Sequence, residues 1–435
     1  MAKNVNVNVK FPVPVQYQVH TDHTCRPHRA SLLSAGLGFG SCVEFHAARG
    51  NAFARPRSFS SALPAGVHGR QPRQGVMATT DEASTAHISL SDLTIGENVG
   101  RGASCTVCVA TLSSTEPHKQ FALKVIEKTK IVGQAQLTRL FREKELLSEL
   151  YHPSIVRLHC TLKDERNLYF VLDLITGGEL LWHMRRAPRQ CVPPSAARTC
   201  VGALLLPLRH MQEKGVIYRD LKPTNIMFTL TGRLTLIDLG HAKRAGPDER
   251  STSLCGTPHA HAPEAVRGDG HGWPAQLWAL GVLIVEMMAG EAPFWETAIS
   301  KSRGDDLKTQ ILRAQPDLSR VPDEQARALT ATLLCAAPEA RHVVYPRGYA
   351  DVMLHPWLNA LDWEAIGDGR CVPDSFDFAA AHAEHLDELE SSAARAEWRA
   401  IREARAREAG APAGNGEAFE DLDLVPAVTA NAELF

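Results

Sequence analysis

Apolar positions along this chain follow two rhythms, and the change from one to the other divides it. Ser91-Asp92-Leu93-Thr94-Ile95 reads as a strand entering a turn, and a second apolar run closes at Ala110. Phe121-Ala122-Leu123-Lys124-Val125 reads as a further strand, with Lys124 on the face opposite Leu123 and Val125. Leu137, Leu140, Phe141, Leu147 and Leu150 then approximate a helical repeat over Gln136 to Leu150, and His152-Pro153 ends it. Ile155-Val156-Arg157-Leu158 and Leu168-Tyr169-Phe170-Val171-Leu172 read as two strands around the turn Lys163 to Asn167. Beyond this the rhythm is helical. A helix is expected from about Ala196 to Lys214, and Pro207 within it predicts a kink, since an interior proline costs ~3 kcal/mol. The apolar run Leu277 to Gly290 contains Glu286 and is too short to span a bilayer, so it reads as a buried core helix. Ala379 to Arg407, rich in helix formers and alternating charges, reads as an exposed helix.

Residues 1–87 have a different texture. They open with alternating Asn and Val from Asn4 to Val9, then turn rich in Arg, Ser, Ala, Gly and Pro. Up to Thr80 there are nine Lys or Arg against Asp22 and Glu44, a net charge of +7. Such a composition buries little apolar surface and reads as a basic, disordered extension; an organelle transit sequence is the sharper alternative. The 435 residues as a whole are long enough to bury a large core. Their net charge of −2 predicts neither nucleic-acid nor membrane affinity, so the expected location is cytoplasmic. Ten cysteines at irregular spacings do not read as a disulfide framework, and Cys105 and Cys108 have no second pair to complete a zinc site.

The chemistry concentrates in Tyr218-Arg219-Asp220-Leu221-Lys222-Pro223-Thr224-Asn225, followed by Ile237-Asp238-Leu239-Gly240. Two acids, a cation and a carboxamide at these spacings suit a site that holds metal-bound phosphates and takes a proton from a hydroxyl. Arg219-Asp220 with Asn225 resembles the catalytic loop of a protein kinase, and Asp238-Leu239-Gly240 resembles its metal-binding Asp-Phe-Gly. Upstream, Gly100-Arg101-Gly102-Ala103-Ser104-Cys105-Thr106-Val107 is a glycine-rich turn between strands, which lets backbone N–H groups approach phosphates. Lys124, which alone would read as a snorkelling surface lysine, resembles the strand lysine that holds the α- and β-phosphates. Arg142-Glu143-Lys144-Glu145-Leu146-Leu147 selects Glu143 as its helical partner, leaving Glu145 and Glu149 as solvated charges. Asp173-Leu174-Ile175-Thr176-Gly177-Gly178 resembles the hinge between two lobes.

Leu254-Cys255-Gly256-Thr257-Pro258, Tyr218 before Arg219 and Ala242-Lys243-Arg244 resemble the AGC group of serine/threonine kinases, which includes the cyclic-nucleotide-dependent kinases. The resemblance runs from about Leu93 to Trp363. It implies an α+β, two-lobed fold: a small antiparallel β lobe with one main helix over 88–175, a larger, mostly helical lobe over 176–363, and an AGC-type tail over 364–435. It implies ATP and Mg2+ as cofactors and Asp220 and Lys222 as catalytic residues. Val99 to Val107, Ala122, Lys124, Glu143, Asp173 and Ile175 would bind the nucleotide, and Asn225 and Asp238 the metal. Glu179, Thr257 and Glu286 would bind substrate. Ser253 matches the phosphorylated threonine of the group, with Arg219, Lys243 and Arg139 as cations for its phosphate. Arg341 matches the arginine that pairs with Glu264. Protein substrates, an upstream kinase or a regulatory subunit are the implied partners, with a preference for basic sites. Phe376 and Phe378 faintly resemble the aromatic segment of a tail that wraps the small lobe. Against the pattern stand Cys105 for a glycine, Pro207, Thr224 for a glutamate, Gln276 for an aspartate, and Pro258-His259-Ala260-His261-Ala262 in the loop after the activation segment. These motivate a rival reading as a pseudokinase scaffold.

Overall fold

The computed structural model describes residues 88–101, 105–115, 118–246, 249–294 and 306–390. The basic extension, the turn residues Gly102, Ala103 and Ser104, and the chain beyond residue 390 lie outside them.

Five strands form one antiparallel sheet: β1 (Leu93–Arg101), β2 (Cys105–Leu112), β3 (Lys119–Glu127), β4 (Leu158–Lys163) and β5 (Asn167–Asp173). Their order is β1-β2-β3-β5-β4. The two-residue repeat sorts the faces. Leu123 and Val125 of β3, with Tyr169 and Val171 of β5, join Leu93, Cys108 and Phe121 in a core on one side. Ile126, Leu168, Phe170 and Leu172 point the other way, into the core shared with helix α1 (Gln134–Glu149) and the larger lobe. Lys124, paired in register with Val107 and Phe170, falls on this second face.

The fourth strand corrects the sequence expectation. It begins at Leu158 rather than Ile155; Ile155 and Val156 instead meet Leu236, through a parallel bridge and a Val156 N–H to Leu236 carbonyl bond of 2.8 Å. Apolar β-formers mark an extended buried segment, but the ladder partner comes from 80 residues further on.

The larger lobe is built on α2 (Leu180–Arg186), α3 (Pro194–Glu213), α4 (Pro263–Arg267) and α5 (Pro274–Ala289). It continues with α6 (Leu307–Arg313), α7 (Glu324–Leu333), α8 (Pro338–Val344), α9 (Tyr349–Val352) and α10 (Trp363–Gly367). Helix α5 is apolar almost all round and buried accordingly. Helix α3 runs unbroken through Pro207, which is buried among its apolar neighbours, so packing outweighs the lost hydrogen bond. Short strands β6 (Val216–Ile217) and β9 (Lys243–Arg244) pair with each other, as do β7 (Ile226–Phe228) and β8 (Leu234–Leu236).

The tail enters helix α11 (Phe378–Glu390). Phe376 and Phe378 pack on the larger lobe: Phe376 stacks on His183 at 4.4 Å, and both rings meet Phe228. An aromatic pair in a polar tail signals a dock, but not which lobe provides it.

His152, just after α1, faces His210 of α3 at 5.4 Å between ring centres. Its Nδ1 accepts the Ser154 N–H at 3.0 Å, a bond the neutral ring makes. Burial pushes its pKa down to about 4, and His210, Arg233 and Arg209 push the same way. The folded value lies below the ordinary 6.5, so its stabilising contribution is complete above about pH 6.5 and drains away as pH falls toward about 4. We expect the urea midpoint to drop over that window. His152→Asn keeps an acceptor that does not titrate and should make the drop shallower; an unchanged slope would rule out His152 as its source.

Candidate active site

The β7–β8 hairpin brings the two metal-ligand candidates to one end. Asn225 directly precedes β7 and Asp238 follows β8, and the Ile237 N–H donates to the Asn225 carbonyl at 3.2 Å. Asn225 Nδ2 donates to the Asp220 carbonyl and to Asp220 Oδ2, both at 2.9 Å. With its amide hydrogens turned to Asp220, the Asn225 carbonyl oxygen is the atom suited to a cation. Asp238 Oδ1 accepts the Gly240 N–H at 2.8 Å.

Asp220 is buried and fully engaged. Lys222 Nζ lies 2.7 Å from Oδ2, and Thr257 Oγ1 donates to Oδ1 at 2.8 Å. Burial pushes its carboxyl up, but the bonds from Lys222 and Thr257, the Lys222 charge and Asn225 outweigh burial and hold it below the ordinary carboxylate range. Gly256 seats the activation segment here. Its φ is +92°, and a Cβ would stand 2.3 Å from the Arg219 carbonyl oxygen, so no side chain fits.

Across the cleft, Lys124 Nζ is 2.5 Å from Glu143 Oε1, and both side chains are largely buried. Burial acts to discharge the lysine, but Glu143 and Asp238 together outweigh it and hold its pKa above the ordinary value. Lys124, Glu143 and Asp238 therefore form one electrostatic unit. Val107 is the register partner of Lys124, and Val99, Gly100, Thr106, Val107 and Ala122 are each half-buried. Cys105 is half-buried too, and its charge would be felt at Lys124. Cys108, three positions along the same strand, is on the opposite face in the small-lobe core, so the pair does not converge.

The hinge residue Asp173 is fixed at both ends. Its Oδ1 is 2.7 Å from His159 Nε2, and its Oδ2 accepts the Arg157 N–H at 3.2 Å. Ile175 beside it is half-buried. His159 was not singled out in the sequence, because it reaches Asp173 from the neighbouring strand β4.

Gln276 carries both bonds expected of an aspartate. Its Oε1 accepts the N–H of Tyr218 at 2.7 Å and of Arg219 at 3.2 Å. This pins Arg219 in a left-handed conformation, φ +68°, that a non-glycine residue adopts at a cost of about 1–2 kcal/mol. We expect Gln276→Leu, which strands two backbone donors, to destabilise the fold by about 1–3 kcal/mol in urea unfolding. A midpoint equal to the parent's would show that other groups hold the loop.

Ser253 Oγ is 3.1 Å from Arg219 Nη1. Of the other two expected cations, Lys243 is 2.9 Å from Glu249, and Arg139 bonds to Gly240 and His241. Glu145 and Glu149 are exposed, as expected of solvated charges, and both pair there with Arg244. Of the substrate-binding candidates, Thr257 is on Asp220. Glu286 lies 3.8 Å from His259, and Glu179 is half-buried ahead of α2, with its carboxyl pushed up by burial. Arg341, wholly buried, forms its ion pair with Glu264.

The sequence profile of the protein kinase domain matches residues 93–358. The chain belongs to the protein kinase family. This kinase is 32% identical over 289 residues to the serine/threonine-protein kinase AtPK2/AtPK19 of Arabidopsis thaliana, covering 66% of this chain and 59% of that one. It is 33% identical to a cAMP-dependent protein kinase catalytic subunit of Dictyostelium discoideum, over 60% of this chain and 39% of the relative. It is likewise 33% identical to a cGMP-dependent protein kinase of Toxoplasma gondii, over 66% and 28%. These relatives are AGC-type serine/threonine kinases, and the chain spans less than two thirds of their lengths. Among the described residues no helix is long and apolar enough to cross a membrane.

Proposed function

We propose that this kinase transfers the γ-phosphoryl group of ATP to serine or threonine hydroxyls of protein substrates. The supporting observation is the charge arrangement across one cleft: Lys124 gripped by Glu143 and sensing Asp238, opposite Asp220 held by Lys222, Asn225 and Thr257. The residues fit magnesium and nucleotide. The Asp238 carboxylate and Asn225 carbonyl are hard oxygen donors, and Mg2+ is held by one or two such groups together with phosphate oxygens. When bound, the metal neutralises charge on the phosphates. Lys124 orients the phosphates, and Val99, Val107 and Ala122 exclude water above the base. Asp173 and Ile175 present backbone to its edge. Asp220 accepts the substrate hydroxyl proton as the new O–P bond forms and the bond to the leaving diphosphate breaks; Lys222 steadies the moving group.

The scaffold alternative has no support. Gln276 supplies both loop bonds, α3 is continuous through Pro207, and the relatives are named as kinases. A preference for basic residues before the target would fall to Glu286 and Glu179, with His259 beside Glu286 tempering it. The domain limits proposed are 88–175 and 176–363 for the lobes and 364–435 for the tail. An upstream kinase or a regulatory subunit is the proposed further partner.

The test is radiolabelled phosphate transfer to peptide arrays with and without upstream arginine, with Asp238→Ala as control. Transfer no greater than the control's would overturn the enzyme reading; indifference to arginine would discard the basic preference alone. Phosphate on Ser253 would add about two negative charges beside Arg219 and order the segment. Ser253→Ala should therefore turn over more slowly than a parent whose phosphorylation at Ser253 has been mapped, and equal turnover would remove the switch.

A further inference from the structure

Glu286 is the one charged side chain of α5, a helix otherwise apolar and buried. It is 16% exposed, and among the described residues its one ion-pair partner is His259, whose Nε2 stands 3.8 Å from Oε2. That separation is within the range of charge attraction but longer than a hydrogen bond. The pair therefore holds only while the ring is protonated. A neutral imidazole leaves a carboxylate with little water and no counter-charge, which favours any cation that can reach it. The chain path puts this acid by the reacting groups. His259 sits in a single turn, Pro258–Ala260, that starts from Thr257, and Thr257 Oγ1 donates to Asp220 Oδ1 at 2.8 Å. Besides Glu286, His261 of the same loop is a titratable group facing His259. Its Nε2 is 3.0 Å from the Cys255 carbonyl, and burial holds its pKa below the ordinary value, with His259 pushing the same way.

We propose that His259 is a specificity-determining residue that gates Glu286. With the ring neutral, Glu286 accepts a cationic side chain of the peptide substrate, such as a guanidinium. With the ring protonated, the acid is already neutralised and a substrate cation is turned away. The inference rests on the phosphoryl-transfer reading and deepens it: the choice of basic substrates depends on one histidine of this chain. Histidine changes charge between about pH 5 and pH 8, so the preference for basic peptides rises with pH across that range.

The experiment uses the full chain and two peptides that differ only in carrying arginine or its neutral analogue citrulline at the positions before the target serine. The ratio of their kcat/KM values reads the preference, and effects of pH or folding common to both peptides cancel in it. In the parent the arginine-to-citrulline ratio should be about fivefold higher at about pH 8 than at about pH 6, the scale of one partly exposed charge pair. His259→Gln should keep a high ratio that is level with pH, and His259→Lys, charged throughout, a low ratio that is level. Glu286→Gln should bring the ratio near one at both pH values, whereas His261→Gln should leave the parental pH dependence in place. A parental ratio that does not move with pH, a His259→Gln ratio that moves as the parent's does, or a Glu286→Gln variant that keeps the preference would each overturn the gate. A parent that phosphorylates neither peptide defeats the kinase reading. The affinities of the same peptides with alanine in place of the target serine, measured by calorimetry at both pH values, then decide the gate: the same pattern upholds it, and equal binding of the arginine and citrulline forms overturns it.

Discussion

Asp220→Ala lowers kcat for peptide phosphorylation by about 10²–10⁴-fold while nucleotide affinity stays within a few-fold, because a positioned proton acceptor is worth that much and the nucleotide contacts lie elsewhere. The effect should be the largest of any single change in the cleft. Asp220 is buried and accepts from three side chains, and that network holds its carboxyl below the ordinary range. A carboxylate so stabilised is a weak base, so in the proposed reaction it would hold the hydroxyl in line and take the proton late in the transfer. It also stays ionised throughout the mildly acidic range, so any loss of rate between about pH 7 and pH 5 should come from other groups. Stopped turnover with nucleotide binding measured by calorimetry checks this. A variant that keeps a tenth or more of the parental kcat would show that the hydroxyl is oriented by something else.

Arg341→Leu should remove about 3–5 kcal/mol of stability, because it leaves a buried carboxylate without its counter-charge. Arg341 is fully buried in α8, pairs with Glu264 of α4 and donates to the carbonyls of Pro274 at 3.1 Å and of Cys335. Glu264 is 2% exposed, and among the described residues its second oxygen has no hydrogen-bond partner. Guanidinium unfolding of parent and variant measures the difference. Because α4 directly follows the segment that carries Thr257, the variant should also lose activity below its unfolding midpoint. A loss of less than about 1 kcal/mol would mean that the pair is replaceable by apolar packing, as some buried pairs are.

Much of the cleft was legible in the residues because its parts are local. Two-residue alternation alone puts Lys124 on the face away from Leu123 and Val125, and the sheet has it there. The spacing of Asp220, Lys222 and Asn225 is short enough for one loop to satisfy, and their mutual bonds follow. The pairing of Glu264 with Arg341 came from motif resemblance, and the fold closes it over 77 residues.

What the chain alone determined, then, was the inventory and face of its charged groups within each short element, since backbone geometry repeats every two or 3.6 residues regardless of what lies far away. Partner choice among long or isolated side chains was decided in three dimensions. Arg139 found Gly240 and His241, Glu145 and Glu149 found Arg244, and Phe376 found His183. Gln276 could stand in for an acid because α5 delivers its carbonyl oxygen to two backbone donors. Pro207 could remain inside a continuous helix because the surrounding core offsets one missing bond. In each case several acceptors or docking faces are chemically equivalent, and only the packing of distant elements brings one of them within reach.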